Sequence, residues 1–133
     1  MKSLLTPLAS LPLDHTQATL VGRIWVPGRG PVLVRAHADR LEDLSGLAMT
    51  MSDLLDLPEP ARAVRQHAAP RLADTAAVLA NASPDDRQPN NPWLLAPCDL
   101  QALKAAGVTF VASMLERVIE EQARGDASRA ESV

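Results

Sequence analysis

Thr109, Ser113, Glu116 and Glu120 stand at spacings of four, three and four, which on a helix sets hydroxyls and carboxylates along one stripe. A carboxylate in such company can act as a general base when a metal-bound substrate above it raises its pKa. The same stripe runs on into Glu121, Gln122 and Arg124, the composition of an ordinary solvated helix face. Glu116 and Glu120 repel at i,i+4, and the pairs Glu120–Arg124 and Arg117–Glu121 offset that repulsion. Val111, Met114, Leu115, Val118 and Ile119 make the opposite face apolar, a periodicity that predicts core. Fully buried, they would contribute about 8–15 kcal/mol before chain entropy. Gly107 and Gly125 bound the helix, Gly125 as a left-handed C-cap preceded by Arg124.

Few other residues have a spacing suited to chemistry. His15, His37 and His67 are too far apart in sequence to form a recognisable ligand motif, so each reads as a surface or hydrogen-bonded histidine. Cys98 is the single cysteine, which excludes an internal disulfide and fits a reducing cytoplasm; its expected role is that of a small buried thiol. Asp85 and Asp86 fall in a polar loop and read as solvated. Gly28-x-Gly30 lacks the third glycine and following helix of a dinucleotide loop, and Pro31 removes a donor a phosphate would need.

Composition narrows the partners. A net charge of −3 with dispersed arginines argues against a nucleic-acid surface, and two Trp, one Phe and no Tyr leave few platforms for stacking bases. No run of about 18 apolar residues exists to span a membrane. Pro7, Pro12 and Asp14 interrupt the apolar start, against a signal peptide.

Residues 19–26 and 32–38 are rich in β-branched types and flank Pro27-Gly28-Arg29-Gly30-Pro31, which predicts a β-hairpin, with a third strand near residues 40–44. Thr50 followed by Asp53 is a weak capping box opening a helix through Leu57. Further helices are expected over 61–67 and 71–79. Residues 81–92 read as an exposed loop, a linker or a lid, and 93–97 as a short extended run. Asp99 is placed to cap a helix over 100–105 that ends with Gly107 as C′.

Two sets of these residues resemble the N-terminal region of the fumarylacetoacetate hydrolase superfamily, particularly its 2-keto-3-deoxy sugar-acid dehydratase/hydrolase branch. The first comprises residues 30–37, then Leu41-Glu42-Asp43-Leu44-Ser45, then Met49-Thr50-Met51-Ser52-Asp53-Leu54-Leu55-Asp56. The second comprises Leu95-Ala96-Pro97-Cys98-Asp99 with Gly107-Val108-Thr109-Phe110. In the hydrolytic pattern Gly-x-Asn-Tyr-x-x-His-x-x-Glu, the Asn falls on Thr109, the Tyr on Phe110, the His on Ser113 and the Glu on Glu116. An unassisted serine hydroxyl does not titrate near neutral pH, so Ser113 cannot replace a histidine base. The version found here resembles the dehydratase branch, in which a helix Glu and a distant Lys move protons.

The resemblance implies Glu116 and Ser113 as catalytic residues, Thr109 as a substrate-binding one, a 2-oxo acid substrate, and Mg²⁺ whose ligands lie outside this chain. It implies an α+β fold: a small antiparallel sheet packed by several helices, the N-terminal domain of a larger cytoplasmic enzyme. Residues 1–96 would form that domain, with 81–92 as a polar loop inside it. Residues 97–133 would be the helical junction into a truncated catalytic domain, leaving the fragment inactive, in a protein that assembles as a homo-oligomer. The alternative is a non-catalytic dimerisation or protein-interaction module whose last helix docks on a partner.

Overall fold

The computed structural model describes residues 5–104 together with residues 111, 114, 115, 118, 119 and 121. Its sheet is built from the predicted hairpin outward. β1 (Val21–Val26) pairs antiparallel with β2 (Gly30–Ala36), from Val21 opposite Arg35 to Val26 opposite Gly30. The tight reversal needs left-handed backbone at Gly28 (φ 76°) and Gly30 (φ 93°), which glycine adopts at little cost. β3 (Leu41–Asp43) continues the meander beside β2, and β5 (Trp93–Leu94) returns to the free edge of β1. With β4 (Arg71–Ala73) the order is β4-β3-β2-β1-β5, a five-stranded antiparallel sheet. The mixed helix and sheet make the fold α+β.

The strand β4 replaces the start of an expected helix. Residues 71–79 are alanine-rich, and their propensity favours a helix throughout. Instead Arg71 and Ala73 pair with Glu42 and Leu41 of β3, and only α4 (Thr75–Ala80) is helical. Covering the edge of β3 satisfies backbone groups that a longer helix would leave unpaired, and tertiary pairing outweighs a preference of a few tenths of a kcal/mol per residue. The remaining helices are short: α1 (Pro7–Ser10), α2 (Met51–Leu55) and α3 (Pro60–Gln66). Thr50 caps α2 by accepting the Asp53 amide at 3.0 Å, half of the expected box.

Strand alternation sends successive side chains to opposite faces. Leu33 joins Leu44, Met51, Leu54 and Val64 in a core beneath α2 and α3, while Val32 and Val34 join Ile24, Leu41 and Val78 beneath α4. α1 lies against α4. The chain divides into two units, Met1–Gln101 and Ala102–Val133. Among the described residues, no helix is long and apolar enough to cross a membrane.

Two expectations near the C-terminal end are corrected. Residues 100–104 are not helical. Val111, Met114, Leu115, Val118 and Ile119 are helical as predicted, but the first four are 68%, 50%, 53% and 41% exposed and do not form core in this chain. Periodicity defines which face is apolar; it carries no information about what covers that face.

Candidate functional site

Thr109, Ser113 and Glu116 lie outside the described residues. What the structure does show is how the segment leading toward them is fastened. Leu95 donates its amide to the Arg23 carbonyl at 2.9 Å, continuing the pairing of β5 with β1. The Arg23 guanidinium then reaches along the departing chain, donating to the carbonyls of Ala96 at 3.1 Å and Cys98 at 2.7 Å. Its Nε stands 3.3 Å from the Asp99 carboxylate.

Asp99 is the centre of this clip. Its two oxygens accept the amides of Met51 at 2.7 Å, Ser52 at 3.0 Å and Leu100 at 2.7 Å. Asp99 therefore caps a helix, as its type suggests, but the helix is α2, 48 positions back in sequence, not one beginning at Leu100. With its carboxylate engaged on the orphan amides at the start of α2, little is left to initiate a helix at residue 100. Burial pushes the Asp99 carboxyl up; the Met51, Leu100 and Ser52 amides and the Arg23 charge outweigh that and hold it below the usual range. A carboxylate so stabilised in its ionised form is an anchor and a poor proton acceptor.

A second charged group sits on the same face of the sheet. Glu42 on β3 is directly opposite Arg35 on β2. It is 7% exposed and receives Arg35 Nε at 2.6 Å, Arg40 Nε at 2.7 Å and His37 Nε2 at 3.1 Å. Desolvation raises its pKa, but the hydrogen bonds from Arg40, Arg35 and His37 prevail and bring it down to about 2. Arg35 also donates to the Val64 carbonyl at 2.7 Å, closing the last turn of α3. The network thus binds β2, β3 and α3 together. Its one sequence signal is an arginine standing inside the apolar run of residues 32–36.

The loop over 81–92 closes on itself. Asn81, only 6% exposed, donates its side-chain amide to the carbonyls of Gln88, Asn91 and Pro92 and accepts the Gln88 amide at 2.7 Å. Arg87 lies 4.9 Å above the Trp93 ring, which stacks on Trp25 at 5.7 Å between centroids. Asp85 and Asp86 are exposed, and Cys98 is half-buried, somewhat less enclosed than expected. His15 contacts the Pro12 carbonyl at 3.1 Å, whereas His37 belongs to the Glu42 network. Among the described residues no three His, Cys, Asp or Glu side chains converge to hold a metal ion. No protein-family model, curated protein or solved structure matches the chain.

Proposed function

We propose that this chain is the N-terminal region of a divalent-metal-dependent enzyme resembling the fumarylacetoacetate hydrolase superfamily, cytoplasmic and acting on 2-oxo acids. Thr109, Ser113 and Glu116 would line its site, with Mg²⁺ held by residues outside this chain and a catalytic domain as the partner of residues 1–133. The observation that supports the reading is the Asp99 clip. The resemblance rests on segments far apart in sequence, and Asp99 joins two of them physically through the amides of Met51 and Ser52. A domain whose task is to hold the entry to a catalytic helix needs such an anchor at its exit.

In this reading Glu116 moves the proton, and Ser113, which cannot act as a base, orients substrate. That assignment favours dehydration over C–C bond hydrolysis. The test is turnover of a panel of 2-oxo-3-deoxy sugar acids and acylpyruvates by the full-length protein with Mg²⁺. Glu116→Gln is expected to lower kcat by about 10²–10⁴-fold with unchanged folding. Purified 1–133 should be inactive. Turnover that ignores both Mg²⁺ removal and Glu116→Gln rejects the reading.

The exposed side chains of Val111, Met114, Leu115 and Val118 favour a second reading, a non-catalytic module that dimerises through this helix. Sedimentation equilibrium of the chain and of Leu115→Asp tests this second reading. Under the second reading the chain is a dimer that Leu115→Asp returns to monomer, and a wild-type chain that is monomeric at all accessible concentrations excludes it.

A further inference from the structure

Gly22 is the second residue of β1 and has no conformational reason to be glycine. The left-handed glycines are Gly28 and Gly30, and a Cβ placed at Gly22 would meet only the Val34 side chain, at an ordinary 4.0 Å. Glycine inside a strand weakens it, and such a position often marks a site where a ligand comes close. Here the missing side chain opens onto a cavity of about 270 Å³ bounded by Val34, Ala36, Val78, Leu79 and the Leu11-Pro12 segment.

The lining is aliphatic and carries no Lys, Arg, Asp, Glu or His. Its polar side chains are Ser10 and Thr75, and the Thr75 hydroxyl is committed to the His37 carbonyl at 2.6 Å. A charged group drawn in against this lining would lose its hydration without a partner. A neutral apolar one would replace weakly held water with dispersion contacts. The space exceeds the ~150 Å³ of an engineered apolar cavity that accepts benzene.

We propose that this cavity, between β1, β2, α4 and residues 10–12, is a binding site for a small neutral aliphatic molecule. The proposal is independent of any activity at residues 109–116. Gly22 is the residue that makes room for the ligand, and the absence of charge in the lining sets its class.

The experiment titrates n-hexanol into the full chain, followed by two-dimensional NMR and thermal unfolding. Saturable shifts should centre on Gly22, Val34 and Val78, with a rise in Tm. Hexanoate, the same carbon chain bearing a charge, should bind at least about tenfold more weakly. Gly22→Leu should fold at least as stably and lose roughly tenfold in hexanol affinity, because its side chain takes the space of about two ligand methylenes. The proposal is overturned by the absence of saturable binding, by shifts centred on the exposed Leu8 and Leu13, or by hexanoate binding as tightly as hexanol. A folded Gly22→Leu that binds hexanol unchanged also overturns it. The wild-type map and the hexanoate contrast decide the question even where Gly22→Leu does not fold.

Discussion

On the face of the sheet under α2 and α3, two largely enclosed ion pairs supplement apolar packing: Arg35 with the buried Glu42 ties β2 and β3 to the end of α3, and the half-buried Arg23 and Asp99 tie β1 to the start of α2. The buried cluster under α4, around Ile24, Val34 and Val78, is aliphatic, and a cavity remains beside it. Charged anchors specify where a helix end or a departing chain must sit, because an unpaired buried charge is costly in every other arrangement. Aliphatic packing has no such directionality and tolerates a void more readily. The first face therefore governs attachment and the second governs available space.

The largest effect expected from this contrast is in the two cores. Leu33→Ala should cost about 3–4 kcal/mol, and Leu79→Ala, whose side chain already borders a void, about 2 kcal/mol. Urea unfolding measures both, and equal costs would mean that the α4 face is as tightly packed as the other. Next is Glu42→Gln, which leaves Arg35 beside an uncharged amide and should cost about 2–3 kcal/mol, less than a fully enclosed pair because Arg40 and His37 reach solvent.

Glu42 also sharpens the comparison through pH. Its folded pKa of about 2 lies below its ordinary value of 4.5, so its stabilisation is complete above about pH 4.5 and is lost as pH falls toward 2. Acid titration of Glu42→Gln should show a shallower loss of stability over that interval than wild type. Coincident acid profiles would remove the network from the account.

Smaller effects separate the exit clip from the helix it caps. Asp99→Ala should cost about 2 kcal/mol and release the amides of Met51, Ser52 and Leu100 to faster hydrogen exchange. Thr50→Ala, which removes the other cap of α2, should cost about 1 kcal/mol and leave the Leu95 amide protected. Loss of protection at Leu95 in both variants would show that the clip has no role of its own. Smallest is Arg87→Ala, expected to cost about 0.5–1 kcal/mol through the stack on Trp93 and to leave both cores unchanged.

The hairpin and helix α2 were legible in the sequence because their signals are local. Alternating β-branched residues, the glycines at 28 and 30 and a Thr with an acid three residues later each act over a few positions, and the structure places β1, β2 and α2 close to those expectations. β4 was hidden because its alanines favour a helix until an edge strand is available to pair with. Asp99 is the instructive intermediate case: its type announced a helix cap, but its partner lies at residues 51 and 52. Val111, Met114, Leu115 and Val118 show the same division, since their spacing defined an apolar helical face and their exposure was not in it. Local signals set which backbone each segment prefers and which side chains are apolar. Which carboxylate meets which amide, and which apolar face is covered, is set by the packed fold, because hydrogen bonds and burial depend on distances in space between residues that are remote in the chain.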